Sequence, residues 1–447
     1  MARLFRTRSL TLWANGLRVG QWQVSARGAD ILVYDPNWTA SMQGRPLSLS
    51  LPFTLDNAPL VGPAVYNYFD NLLPESDAIR RRLQARFHTL NGAAFELLAA
   101  IGRDCVGAIQ LLREGQQPEN VFSIQAQALT EAEVAELLRA TAASPASMGP
   151  HDALDDDFRI SIAGAQEKTA LLWHQGQWCR PLGATPTTHI LKLPLGLVGN
   201  RQADMRTSVE NEWLCSKILQ LFGLPIAACE IAQFEEQKVL IVERFDRSLS
   251  EQGYWLRLPQ EDFCQATGTP PGAKYEPDGG PGLVDLARIL QQSESREQDL
   301  RVLLKAQLLF WLMAATDGHA KNFSIFLLPG GRYRLTPLYD VLSAWPVTGR
   351  GANQLDVNRL RLAMAVKGKN THYRLKDIQR KHFNHTARLC GWGGSMEGLI
   401  TEVLDQLNLV LEAVCEMLPV GFPEEVFTMV RAGMLDAADR LAKMPAN

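Results

Sequence analysis

The chain is short of several things. Its seven cysteines in 447 residues include no C-x-x-C pair, and an odd count excludes a fully paired disulfide framework. Cys105, Cys179, Cys215, Cys229, Cys264, Cys390 and Cys415 include several in apolar helical patterns such as WLCSKIL and LEAVCEML, which reads as reduced, buried thiols of a cytoplasmic protein. No apolar run is long enough for a bilayer: the longest helical stretch, 302–315, carries Lys305 and Gln307, so no membrane partner is expected. Charge of neither sign dominates. Lys plus Arg number 45 against 48 Asp plus Glu, a net charge of −3, which gives no whole-chain reason to bind nucleic acid. There is no period of 20–50 residues to suggest a repeat fold. The start MARLFRTRS runs directly into a strand pattern and is not read as a targeting peptide. What remains, 46% hydrophobic and 21% charged residues, is the composition of a soluble globular protein of two to four domains.

The pattern changes along the chain. LTLWANGLRVGQWQV places two alternating runs around Asn15-Gly16, a two-residue hairpin signal. PLSLSLP (46–52) alternates like a short strand, and YNYFDNLLPES leads into an Arg-rich helical stretch. An amphipathic helix and a polar loop follow between 120 and 150. Strand patterns then resume in RISIAGAQEKTALLWHQGQW, THILKLPL and KVLIVERFD, with the helix SVENEWLCSKILQLFG between the last two. GTPPGAKYEPDGGPG (268–282) is too rich in Pro and Gly for regular structure and reads as a second boundary. The expected organisation is α+β: a β-rich module over 1–120, an α/β module over 121–256, and a helical lobe over 257–447.

Five features carry chemistry. In ATDGHAKNFS, Asp317 and Asn322 have the D-x-x-x-x-N spacing with which kinase-type phosphotransferases place a base beside an amide ligand for Mg²⁺. The competing reading is a capped polar turn. In TPLYDVLSA, Asp340 follows a strand-like run, and Gly330-Gly331 would form the hairpin that returns it beside Asn322. Two oxygen ligands supplemented by phosphates suit Mg²⁺. In HILKLP, Lys192 alternates into a strand between apolar neighbours, where a lysine is rare unless paired. Glu210 and Glu212 of the following helix are its candidate partners, the second slightly preferred. SIAGAQEK (161–168) is a small-residue loop that would let backbone N–H groups approach phosphate, although it is neither G-x-G-x-x-G nor a Walker loop. VLIVERFDR ends a strand in Glu243-Arg244-Phe245, a connector whose backbone could meet an adenine edge. The linear order is informative: loop, strand lysine, helix glutamate, connector, base, metal aspartate. A bilobal protein-kinase-like fold lays out its site in this order.

DFRISIAGAQEKTALL, TPTTHILKLP, VERFDR, RLPQEDFCQ, KYEPDGGPG, ATDGHAKNFS and RLTPLYDVLSA, together with RPLSLSLP, FDNLLPES and IGRDCVGA earlier in the chain, resemble the HipA family of serine/threonine-kinase toxins from bacterial toxin–antitoxin modules. The resemblance implies Asp317 as catalytic base, Asn322 and Asp340 on Mg²⁺, and Lys192 on the ATP phosphates. It makes Ala163, Gly164, Ala165, Gln166, Glu167 and Lys168 the phosphate loop. By the same resemblance Glu243, Arg244 and Phe245 would hold the adenine, with His319, Lys321 and Tyr339 also at the nucleotide. His319 and Lys321 are phosphate-side or loop-fixing groups. It further implies inactivating autophosphorylation at Ser161, glutamyl-tRNA synthetase as the substrate whose modification leads to persistence, and a HipB-like helix-turn-helix antitoxin that mediates contact with operator DNA. The basic segment 367–388 offers Arg380 and Lys381 for supplementary phosphate contact, against the plainer reading of a solvated helix face. The loop 195–208 is a candidate substrate-facing segment. Two motifs of ordinary protein kinases are missing: Ala315-Thr316 stand where H-R would precede the base, and Val341-Leu342 follow the metal aspartate in place of F-G. A small-molecule kinase and a nucleotide-binding corepressor scaffold are the alternatives. A metal hydrolase would need a denser cluster of His and carboxylate ligands.

Overall fold

The computed structural model describes residues 7–142, 161, 163–164, 166–199 and 202–446. The first module is an antiparallel sheet in the order β4-β3-β2-β1-β5: β1 (Arg8–Ala14), β2 (Leu17–Val24), β3 (Asp30–Tyr34), β4 (Leu60–Val61) and β5 (Ile109–Arg113). Asn15 (φ 47°) and Gly16 (φ 83°) make the predicted tight turn between β1 and β2. Short α1 (Pro36–Ala40) and helices α2 (Pro63–Asp70), α3 (Asp77–Arg86) and α4 (Ala94–Ile101) complete it. The core joins Trp22, stacked on Phe69 at 4.1 Å, with Leu97, Leu98 and Ile101. Residues 46–52 are not a strand. Their alternation serves a loop in which Leu47 and Leu51 are buried and Ser48 and Ser50 donate to Gln265 O.

The second sheet runs β12-β13-β9-β7-β8-β6, antiparallel throughout: β6 (Ala126–Ala128), β7 (Lys168–His174), β8 (Gln177–Pro181), β9 (His189–Lys192), β12 (Cys229–Phe234) and β13 (Gln237–Glu243). Between β9 and β12 lie the hairpin β10 (Gly196–Val198) with β11 (Ala203–Met205), and helix α6 (Ser208–Leu221). Alternation sorts the two faces. Leu191, Val239 and Ile241 pack with α5 (Glu131–Ala142), whereas Leu240 and Val242 join the core of α6. Lys192, one residue after Leu191, therefore points to the α6 side.

Beyond the connector 243–246 come the pair β14 (Arg247–Leu249) and β15 (Trp255–Arg257), and then the helical lobe. Its buried axis is α9 (Arg296–Leu312), surrounded by α7 (Phe263–Thr267), α8 (Leu283–Leu290), α10 (Arg380–Leu389), α11 (Glu397–Glu416) and α12 (Glu424–Lys443). The lobe is not wholly helical. It carries a three-stranded sheet, β16 (Gln260–Asp262), β17 (Ser324–Leu327) and β18 (Tyr333–Leu335), and a hairpin, β19 (Arg361–Lys367) with β20 (Thr371–Arg374). The hairpin occupies the first part of the basic segment, so that segment is not one helix face. Among the described residues no helix is long and apolar enough to cross a membrane.

Candidate active site

The site lies in a narrow cleft of about 190 Å³ lined by the second sheet, the connector, the helical lobe and residues 71–75 of the first module. A larger surface groove of about 630 Å³ between α9 and α11 lies elsewhere, and its Lys305 is already held by Phe222 O and Glu402.

Lys192 Nζ donates to Glu212 Oε1 at 2.6 Å and to Asp340 Oδ1 at 2.8 Å. Glu210 is occupied elsewhere, by Lys238 at 2.5 Å, which resolves the choice of partner. Burial pulls Lys192 down, but the two carboxylates outweigh it and hold the ammonium above its ordinary value. Burial pushes Glu212 up to about 6 against the pull of Lys192. Burial would also raise Asp340, yet Lys192 and Lys168 hold it well below the usual carboxylate range, so it is an anion. Lys168 stands directly opposite Lys192 in the β7–β9 register, and burial together with that neighbour lowers it to about 8. Two lysines facing each other across a ladder repel, an arrangement that suits a polyanion between them.

Across the cleft, the catalytic-loop candidates follow α9. Ala314 (φ 49°) and Asp340 (φ 61°) both adopt the left-handed region, a strain of the kind concentrated at functional sites. A Cβ on Gly318 would meet the Phe310 ring at 2.6 Å, so the loop lies flat on α9 only because that side chain is missing. Asn322 Nδ2 donates to Asp317 O at 2.9 Å and Asp340 O at 3.3 Å, knitting the predicted base, amide and second carboxylate together. The β17–β18 hairpin, turning through Gly330 and Gly331 with positive φ, returns the chain to Asp340 as the sequence led us to expect. With its amide nitrogen occupied, Asn322 has a carbonyl oxygen to offer beside the Asp340 carboxylate. Two hard oxygen donors fit Mg²⁺ completed by phosphate and water. Asp317 is half exposed; desolvation in the cleft raises its carboxyl, while Lys274 and Tyr275 pull it down. His319 is buried and lowered to about 3, first by burial and then by Lys274, so its ring is neutral, and its Nδ1 has no partner among the described residues.

Not every predicted residue faces the nucleotide position with its side chain. Lys321 lines the cleft, but its Nζ is bound by Asp262 at 2.6 Å and by Asn71 Oδ1 at 2.8 Å, contacts that fix the loop. Arg244 turns its guanidinium into a buried cluster with Asp246, Asp104 and Thr187, leaving main chain as its contribution to the lining. Phe245 and Tyr339 stand 5.7 Å apart beside it, an apolar platform at the connector. Gly164 has φ +114°, and a Cβ there would sit 2.4 Å from Lys168 Nζ. Gln166 donates to Leu193 O at 2.6 Å, and Glu167 pairs with Arg82. Ala163 lines the cleft, and Ala165 lies outside the described residues. Ser161 is fully buried, its Oγ donating to Leu72 O at 2.8 Å and its N–H to Asp104 O at 3.0 Å. Arg380 is held by Glu397 and Lys381 is exposed. Within 195–208, the described residues include the β10–β11 hairpin, and positions 200–201 lie outside them.

Sequence reasoning missed the residues that join modules. Asn71 reaches Lys321, Glu75 N–H donates to Gly164 O at 3.3 Å, and Lys274 pairs with Glu75 at 2.5 Å. Tyr275 donates to Asp317 Oδ1. Their only signal was membership in FDNLLPES and KYEPDGGPG, motifs that carry the family resemblance but show no chemistry of their own in the sequence.

A strand lysine bridged to a helix glutamate and a metal-type aspartate, opposite an Asp–Asn loop in a helical lobe, defines a bilobal kinase-type phosphotransferase. Comparison with known proteins specifies the kind. Residues 10–112 match the HipA N-terminal domain and residues 160–413 the HipA-like C-terminal domain. The chain is 34% identical to the putative kinase Y4mE of Sinorhizobium fredii over 75% of this chain and 77% of that one. It is 28% identical to the serine/threonine-protein kinase toxin HipA of Shewanella oneidensis over 76% of each. HipA in the solved complex of Shewanella oneidensis HipA, HipB and operator DNA has the same fold, with a TM-score of 0.77 and 24% identity over 97% of this chain and 98% of that one. The chain belongs to the HipA family and is a HipA-like serine/threonine kinase of the toxin–antitoxin type.

Proposed function

We propose that the cleft transfers the γ-phosphoryl group of ATP to a serine of a protein, with Asp317 as base. The observation that carries the reading is Lys192, held between Glu212 and Asp340 and facing the Asp317–Asn322 loop. Lys192 and Lys168 offer cationic contacts to the phosphates, and the Phe245–Tyr339 platform receives the base. Arg244 N–H is taken by Thr188 O at 2.8 Å, so the connector's donor to adenine is assigned to Phe245. A divalent ion held by Asn322 and Asp340 would neutralise phosphate charge when bound. Asp317 accepts the proton of the serine hydroxyl as its oxygen bonds to the γ-phosphorus and ADP departs. Neutral His319 adds a polar contact without adding charge.

Self-inactivation at Ser161 fits its burial. A phosphate of about −2 charge cannot occupy the place of a hydroxyl donating to Leu72 O, so modification would drive the loop from the cleft. Glutamyl-tRNA synthetase is the proposed protein substrate, growth arrest and persistence the proposed outcome, and a HipB-like antitoxin with operator DNA the proposed partner. Because Glu397 holds Arg380, direct phosphate contact falls to Lys381. Phosphoproteomics after induction of wild type and Asp317→Asn tests the reading. Transfer to Ser161 and to protein targets should fall roughly 10²–10⁴-fold in a variant that still folds. Undiminished labelling would sink it.

A further inference from the structure

The loop 268–282 sends a side chain to the base. We propose that Tyr275 is a positioning residue for phosphoryl transfer: its hydroxyl holds one oxygen of Asp317 so that the other meets the incoming hydroxyl. The inference rests on the reading of Asp317 as the base. Tyr275 Oη donates to Asp317 Oδ1, and its ring stands edge-on to His319, centroids 5.1 Å apart at 85°. The ring is anchored from both sides along the chain. Lys274 pairs with Glu75 of the first module, while Glu276 accepts from Ala365 N–H at 2.6 Å and pairs with Lys367 on β19. A residue fixed between two such anchors is built into the site.

The need for such a residue follows from aspartate itself. Its terminal torsion is broad and roughly two-fold, and a half-exposed carboxylate has little packing to select one orientation. Asp317 Oδ2 lies 3.9 Å from His319 Nε2, beyond hydrogen-bond reach, so the imidazole does not fix it. A donor on Oδ1 does, and it leaves Oδ2 for a hydroxyl that must come within about 2.6–3.2 Å. Tyr275 is not itself the base. Burial and the neighbouring carboxylate push its phenol far above the ordinary tyrosine value, so it keeps its proton.

The experiment compares full-length wild type, Tyr275→Phe and Asp317→Asn, using γ-labelled ATP with dephosphorylated casein and the chain itself as acceptors. Phenylalanine keeps the ring on His319 and removes only the hydroxyl. The expected result is a kcat lowered roughly tenfold, with KM for ATP within about twofold of wild type and an unchanged thermal midpoint. A purely structural role would instead move the midpoint and both kinetic constants together, and would overturn the proposal. So would a wild-type kcat in Tyr275→Phe, or a raised one, which would mark the contact as autoinhibitory. If Asp317→Asn stays active, the base assignment is what fails.

Discussion

At the scale of single residues, the site is organised by one lysine. Lys192 was legible because a lysine between apolar neighbours on a strand needs a reason. Which glutamate it meets was not, because Glu210 and Glu212 lie on the same helix and differ only in which neighbour each reaches. The register decides: alternation turns Lys192 toward α6, and Lys238 on β13 takes Glu210. Replacing Glu212 by Gln separates catalysis from stability. Asp340 still pairs with Lys192, so no charge is left stranded, and removal of a carboxylate raised to about 6 relieves a buried anion. We expect kcat/KM for ATP to fall roughly 10–100-fold through a misplaced ammonium, while the midpoint of urea unfolding moves by less than about 1 kcal/mol of stability. Steady-state kinetics and an unfolding curve on one preparation check both halves.

At the scale of elements, loops do the joining. Local patterns identified the strand that carries Lys192 and the helix and hairpin after which Asp317 and Asp340 follow, because periodicity and turn chemistry are local signals. They also marked 268–282 as a boundary, since Pro and Gly exclude regular structure. Irregular backbone can nonetheless be fixed by side chains, and Lys274, Tyr275 and Glu276 show three such attachments. Segment 70–76 behaves likewise. Asn71 lies about 250 residues from Lys321 in sequence, and no window-based pattern can connect them. Lys321→Met tests this joint. It removes the buried cation shared by Asp262 and Asn71, leaving Asp262, already raised by burial, without its partner. Loss of one partner from a buried pair costs about 3–5 kcal/mol, which denaturant titration should register. Activity at low temperature, where the fold persists, should fall less than in Asp317→Asn, because the Lys321 ammonium is already engaged by Asp262 and Asn71.

At the scale of the molecule, the first module is part of the kinase rather than an appendage to it, and a buried charge cluster is the reason. Asp104, from IGRDCVGA, is surrounded by Arg247 at 3.0 Å, Arg257 at 3.2 Å and Arg244 at 3.4 Å, and also accepts from Thr187. Asp246 on the connector pairs with Arg244 and Arg247 and accepts from Gly107 N–H at 2.7 Å. Three guanidiniums thus share two carboxylates out of water, at the point where the first module, the second sheet and the connector meet. Burial opposes the charge on Asp104, but the three arginines overcome it and hold its carboxyl well below the usual range. A carboxyl depressed in the folded state supplies stability that is present above its unfolded pKa of about 3.9 and is lost as pH falls through the folded value. The cluster is therefore intact across the neutral range. Asp104→Asn keeps the shape and leaves three buried cations facing one anion. Its cost should be about 3–5 kcal/mol, seen as an earlier denaturant midpoint at neutral pH. The same change should raise KM for ATP more than it lowers kcat, since Arg244 and Asp246 shape the connector and neither touches Asp317. Equal losses in both constants would mean that the cluster holds the whole cleft together, and an unchanged midpoint would mean that the modules are joined elsewhere.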